Sequence, residues 1–173
     1  MQSFLNPTEV LKQLKLRKNM IAADFGSGSG GWAIPLAKKL EDGKVYAIDL
    51  LEEPLSALRA KAKLERIFNI QTVVANVEKE IEILRDASCN LVLMTNLLFQ
   101  CQDKKNILSE AKRILKPEGR ILVVDWQKDN PLTQQIEKVS FVEIKEAGSE
   151  LGLEIEKEFP AGPYHYALVF TKK

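Results

Sequence analysis

The sequence predicts an α/β fold in which apolar strands alternate with amphipathic helices. Three observations predict it. Met20 to Phe25 form an apolar strand that runs into Gly26, Gly28, Gly30 and Gly31, and a helix opens at about Trp32. Val45 to Ile48 read as a buried strand closed by Asp49, about 20 residues after the glycines, where a nucleotide fold places an acid. Further apolar runs, Ile70 to Ala75, Asn90 to Thr95 and Arg120 to Val124, recur between segments of helical period.

The elements follow in order. Asn6-Pro7-Thr8-Glu9 is a helix start, with a capping Asn, Pro at the first position and Glu in the first turn. Val10, Leu11 and Leu14 give that helix a short apolar stripe. After the glycines, Ala33, Leu36, Ala37 and Leu40 share one helical face, and Pro35 is tolerated because the first turn has free N–H groups. A second helix runs from about Glu53 to Phe68 with Leu55, Leu58 and Ala62 inward; Arg59, Lys61, Lys63 and Arg66 read as its solvated face. A helix with Ile107, Leu108, Ala111, Ile114 and Leu115 inward is stopped by Pro117 and Gly119. Gln127 to Val139 is polar, carries Pro131, and reads as a loop. Ser140-Phe-Val-Glu143 is a capping-box start for a helix that Gly152 ends. Leu153 to Phe159 and Tyr164 to Thr171 are strands joined by the Pro160–Pro163 hairpin.

The glycines admit two ligands. Gly26, Gly28 and Gly31 fit G-x-G-x-x-G, the dinucleotide fingerprint, whereas Gly26, Gly28 and Gly30 fit G-x-G-x-G. Asp24 separates them. A carboxylate beside a pyrophosphate is repelled by like charge, but it suits an ammonium group; the plain alternative is a solvated residue at a strand tip. Asp49 can accept two hydrogen bonds from neighbouring ribose hydroxyls. It can also serve, with Glu52 and Glu53, as an N-terminal acid for the next helix.

Asp24-Phe-Gly-Ser-Gly-Ser-Gly30, Val45-Tyr-Ala-Ile-Asp49 and Ile114-Leu-Lys-Pro-Glu-Gly-Arg-Ile-Leu-Val-Val124 together resemble class I S-adenosylmethionine-dependent methyltransferases. The likeness is closest to the ubiquinone/menaquinone-biosynthesis type. It implies a Rossmann-like, doubly wound, seven-stranded sheet, mostly parallel with an antiparallel last strand, in the order 3-2-1-4-5-7-6. Residues 1–173 would then be a single domain, 1–19 its N-terminal helix and 20–173 its core. The implied cofactor is S-adenosyl-L-methionine. Asp24, Gly26, Ser27, Gly28 and Gly30 would hold it from the glycine turn, and Asp49, Leu50, Asn76, Val77 and Asn96 from the strand ends around it. The family commonly has an Asp near Asn76 contacting the adenine amino group; the Asn amide oxygen can accept the same bond.

The acceptor side is thinner. Ligands of open parallel sheets bind beyond the carboxyl ends of the strands, which brings in Phe99, Trp126 and Tyr164 as substrate contacts. His165 and Asp125 are the candidate general bases, needed only if the acceptor carries a proton that must leave early. Alternation along a strand sends His165 away from the side used by Tyr164 and Tyr166.

Composition narrows the class. The chain has 173 residues, 45% apolar and 28% charged, with a net charge of +1. That suits a packed core and gives no bulk-charge signal for nucleic acid. No apolar run is long enough to span a membrane, and the N-terminus lacks the pattern of a signal peptide. Cys89 and Cys101 are too few and too widely spaced for a zinc site or redox pair, so no metal and a reduced cytoplasmic setting are expected. A small-molecule acceptor is expected, with a protein partner left open. The rival readings are an NAD-dependent oxidoreductase and a non-catalytic methyltransferase-like scaffold that activates a partner protein.

Overall fold

The structure, a computed structural model, describes residues 5–127 and 140–173. The loop expected over 127–139 therefore lies, beyond Gln127, outside the described residues. Seven strands form one sheet: β1 (Ile21–Phe25), β2 (Lys44–Asp49), β3 (Ile70–Val74), β4 (Cys89–Thr95), β5 (Leu115–Trp126), β6 (Leu153–Pro160) and β7 (His165–Lys172). Their order is β3-β2-β1-β4-β5-β7-β6. The first five are parallel, and β7 runs antiparallel to both β5 and β6. This is the Rossmann-like topology expected from the sequence.

The helices α1 (Pro7–Lys12), α2 (Ala33–Lys39), α3 (Glu52–Leu64), α4 (Lys104–Ile114) and α5 (Phe141–Glu150) cover the two faces. Strand alternation sorts the core. Ala23, Phe25, Val92, Met94, Ile121 and Val123 pack on the α4 and α5 side. Ala22, Leu91, Leu93, Leu122 and Val124 pack on the side of α1, α2 and α3. Both faces are covered, which is why the central parallel strands read as nearly unbroken apolar runs. Strand order reverses at β1, whose neighbours are β2 and β4. An open sheet leaves its crevice beyond the carboxyl ends at that reversal.

Local signals set the helix starts. The Asn6 side chain accepts from the Thr8 and Glu9 N–H groups. Asp103 caps α4 through the Asn106 N–H, and Ser140 and Glu143 form the expected reciprocal box. Two boundaries differ from expectation. Helix α3 stops at Leu64, not Phe68: Arg66 takes φ +56° and the Ile67 N–H turns back to the Ala62 carbonyl at 2.8 Å. No Gly or Pro announces that reversal. Strand β5 begins at Leu115, not Arg120, because Leu115 already pairs with Cys89; Pro117 and Gly119 sit where the register shifts. They turn the chain inside the strand rather than ahead of it.

One buried acid fastens the segment that follows β3. Glu110 is 6% exposed; its Oε1 accepts from the Ile81 N–H at 2.8 Å and its carboxylate pairs with Arg113. Glu110→Ala leaves a buried N–H and a guanidinium short of partners. Breaking such a buried pair costs about 3 kcal/mol, to be read as a lower urea midpoint with an unchanged slope.

Candidate functional site

The glycine turn is tied to the end of β2. The Ser27 N–H donates to the Ile48 carbonyl and the Gly28 N–H donates to Asp49 Oδ2, both at 2.9 Å. Asp49 Oδ1 accepts from the Leu51 N–H at 3.1 Å. One carboxylate thus holds the turn after β1 and the entry to α3 in register. Gly26 and Gly28 have φ of +70° and +51°, left-handed values that favour glycine. A Cβ on Gly26 would lie 2.7 Å from Leu97 Cδ1, while a Cβ on Gly28 would project into open space. Gly26 therefore allows the chain after β4 to close over the turn, and Gly28 leaves room for a ligand. Gly30 instead lies under Leu58 of α3. The Lys61 ammonium reaches the Ser29 carbonyl and hydroxyl at 3.3 Å, so that residue braces the turn rather than serving only as a solvated charge.

A cleft of about 290 Å³ opens at the β1 reversal, near the lower end of the ~300–1,000 Å³ usual for small-ligand sites. Of the residues singled out from sequence, Gly26, Asp49, Leu50, Asn76, Val77 and Asn96 line it. Leu51, Ala75, Glu78, Leu97, Gln100 and Cys101 line it as well and were not expected. For Leu97, Gln100 and Cys101 the signal is their place just beyond the carboxyl end of β4. Glu78 carries no comparable signal. Burial pushes the Cys101 thiol up to about 11, so it stands as a neutral thiol.

Two amides take different postures. The Asn76 oxygen already accepts from the Glu78 N–H at 2.9 Å. One of its two lone pairs is thus committed to a local turn and the other stays open. Asn96 takes φ +50°, its N–H donates to the Val124 carbonyl at 2.8 Å, and its Oδ1 is buried with no hydrogen-bond partner among the described residues.

Asp24 does not line the cleft; it lies on β1 just before Gly26, fully buried, and neither of its oxygens has a partner among the described residues. It is not a solvated strand tip. Burial first, then the charge of Asp49, raises its pKa from 3.8 to about 8. The Ser27 hydroxyl is likewise buried and unpartnered. A carboxyl kept in this state is poised for a cation that restores the lost solvation.

The two candidate bases do not meet. Asp125 is opposite Tyr166 in the β5–β7 ladder, and Trp126 is opposite His165. Successive side chains alternate, so Asp125 points to the α4 and α5 side and His165 to the other. His165 is 2% exposed and stacked on Trp126 with ring centroids 4.0 Å apart. Burial lowers its pKa, which keeps the ring neutral. Asp125 is 1% exposed and its oxygens accept from the Leu98 N–H at 3.2 Å and the Trp126 N–H at 2.8 Å. Burial raises its pKa from 3.8 to about 6 against those stabilising bonds. Neither lines the cleft. Phe99 is half-buried against the α4-side core, and the Tyr164 carbonyl accepts from the Gln127 N–H at 2.8 Å. The three aromatic candidates therefore sit around the carboxyl end of the sheet.

A parallel sheet with an antiparallel finish, a glycine turn at its reversal and an acid closing β2 define the nucleotide-binding class of α/β proteins. Residues 23–123 match the family model described as methyltransferase domain, and the chain belongs to that family. A demethylmenaquinone methyltransferase of Listeria welshimeri is 27% identical over 124 residues, covering 70% of this chain and 51% of that protein. The chain thus spans about half the length of the curated relatives it matches. A SAM dependent methyltransferase from Aquifex aeolicus superposes with a TM-score of 0.87 at 25% identity, covering 98% of this chain and 91% of that one. A putative type 11 methyltransferase from Sulfolobus solfataricus gives 0.75 at 27% identity, covering 99% and 94%.

Proposed function

We propose that this chain is an S-adenosyl-L-methionine-dependent methyltransferase that works as one domain on a small-molecule acceptor. The observation that carries the reading is Asp24, a buried carboxyl without a partner among the described residues, just before a glycine turn that Asp49 holds from the other side. Such a pair of acids suits a ligand with a cationic end and a diol end. It suits a pyrophosphate less: an ammonium draws Asp24 to ionise and pairs with it, whereas an anion keeps it protonated and gains no charge pairing.

The residues fit that cofactor. Asp24 would face its ammonium group, Asp49 its ribose hydroxyls, and the open side of Gly28 would take its bulk. When bound, the cofactor supplies a methyl group on a sulfonium, an electrophile whose leaving group needs no acid. The chain's own work is orientation. Asp49 and the glycine turn fix one end of the site and Asn96 its other wall, and holding two reactants in line can contribute about 7–11 kcal/mol. Neutral, buried His165 lies against Trp126 at the amino end of β7, beside the carboxyl end of β5; it can take a proton only from an acceptor that reaches that side of the sheet. The name of the Listeria relative supports a small organic acceptor, and Phe99, Trp126 and Tyr164 offer aromatic surface to one. Among the described residues no helix is long and apolar enough to cross a membrane. The two free thiols support work in a reducing cytoplasm.

Calorimetric titration with S-adenosylmethionine, S-adenosylhomocysteine and NAD tests the reading. Binding of the first two and not NAD is expected; binding of NAD alone overturns it in favour of an oxidoreductase, and no binding favours a scaffold. Gly28→Val should remove S-adenosylhomocysteine binding. Its side chain would occupy open space, so the fold should survive, less the roughly 1–3 kcal/mol that a left-handed, β-branched residue costs. A native circular dichroism spectrum with undiminished affinity would show the turn to be misassigned.

A further inference from the structure

Asp125 was a candidate base, yet its surroundings give it another role. Its carboxylate comes from the end of β5 and is almost wholly buried. Oδ2 accepts from the Leu98 N–H, at the start of the 3-10 turn Leu98–Gln100, and the Phe99 N–H, next in that turn, favours its charged form. Those N–H groups belong to a helical first turn and have no partner within it. Oδ1 is held by Asp125's own neighbour, the Trp126 N–H. Each oxygen therefore already carries a backbone N–H.

The turn so held is a wall of the cleft. Leu97, Gln100 and Cys101 line it. Within the segment, the Gln100 amide reaches the Asn96 carbonyl and the Cys101 thiol reaches the Leu97 carbonyl. These bonds shape the segment but do not attach it to the sheet. Attachment comes from the burial of Leu98 in the core, and among hydrogen bonds to the sheet from the Asn96 N–H on Val124 and from Asp125. Leu97 in turn packs where a Cβ of Gly26 would stand. A line of contact thus runs from β5, through Asp125 and the 3-10 turn, to Leu97 and the glycine turn.

We propose that Asp125 is a positioning residue, which hangs the Leu97–Cys101 wall of the cleft from β5 and so sets the gap between that wall and the glycine turn. The inference rests on the cofactor reading where it concerns ligand affinity; where it concerns the wall, it stands on the hydrogen bonds alone. Charged acceptors at the start of a helical turn are strong, and cofactor sites lose affinity when their wall is set loose.

Asp125→Ala and Asp125→Asn test it, the second isosteric and left with one acceptor oxygen. Two measurements are made on each: amide hydrogen exchange by NMR, and S-adenosylhomocysteine affinity under conditions where circular dichroism shows the variant folded. Exchange at Leu98 and Phe99 should quicken while Leu122 and Val123 in β5 keep their protection. Affinity should fall on the order of tenfold for Ala, with Asn between Ala and wild type. A base that merely accepts a proton would leave both affinity and exchange unchanged on going to Asn, and that result overturns the proposal. Faster exchange with full affinity also overturns it, since the wall would then not set the gap. If wild type itself binds no S-adenosylhomocysteine, the cofactor reading fails, and the exchange at Leu98 and Phe99 alone decides for or against Asp125 as the fastening of the wall.

Discussion

Asp24→Asn should make the protein more stable, and more so the higher the pH. Asp24 has an unfolded value near 3.8 and a folded value of about 8. A group whose pKa rises on folding is worth most below its unfolded value, where it is protonated in both states. Its contribution drains away as pH climbs from about 4 to about 8, because the unfolded chain releases a proton that the folded chain retains. Each tenfold in proton affinity is about 1.4 kcal/mol, so the full climb represents several kcal/mol lost by pH 9. Asn cannot ionise and forgoes that loss. Denaturant unfolding at pH 5, 7 and 9 should show the two proteins converging at low pH and separating by several kcal/mol at high pH. Subtracting one from the other removes the smaller slope that Asp125 contributes by titrating near 6. Parallel curves would mean that Asp24 ionises freely, and the case for a stored, cation-seeking carboxyl would end. The same variant should bind S-adenosylmethionine much more weakly, a trade of stability for function seen wherever a site keeps an unsatisfied group.

Asp49→Ala should weaken S-adenosylhomocysteine binding heavily while leaving the fold in place. Hydrogen bonds to a charged group are worth about 1.5–3 kcal/mol each, and a diol offers two. Its loss also frees the Gly28 and Leu51 N–H groups that the carboxylate holds, so the turn itself slackens. The expected result in calorimetry is a drop of at least about a hundredfold in S-adenosylhomocysteine affinity. Thermal melting should record only a modest loss, because the side chain is at the surface end of β2. Asp49→Asn separates the two causes: it keeps shape and one acceptor, and should retain more of the turn than of the affinity. Undiminished affinity in the alanine variant would remove Asp49 from the binding site.

The residues brought into the cleft show what a sequence can and cannot reveal. Gly26 and Asp49 were legible because the turn and the acid stand at fixed distances along the chain from strands marked by their own apolar runs. Leu50, Val77 and Asn96 follow from being next to strand ends. Glu78 was not legible: a polar loop residue has no period, and only the closing of two loops beside each other brings it to the cleft. The Asn76 oxygen illustrates a second limit, since a short side chain can bond its own backbone two residues on, and nothing in the residue type says which partner wins.

Asp125 and His165 mark the boundary most clearly. From sequence they are two titratable groups at the ends of two strands, equally fit to be a base. Once β7 pairs antiparallel with β5, register puts Asp125 opposite Tyr166 and His165 opposite Trp126, and the pleat sends them to opposite faces. By itself the sequence determined the α/β order of elements, the glycine turn, the acid closing β2 and, through its three motifs, the family. These are properties of local spacing and apolar period, which the chain carries with it. The tertiary structure alone decided that Asp24 is fully buried with no partner among the described residues, that Asp125 serves a turn 27 residues away, and where helix α3 stops. Desolvation, strand register and backbone hydrogen bonds between distant segments come into being only when the sheet closes.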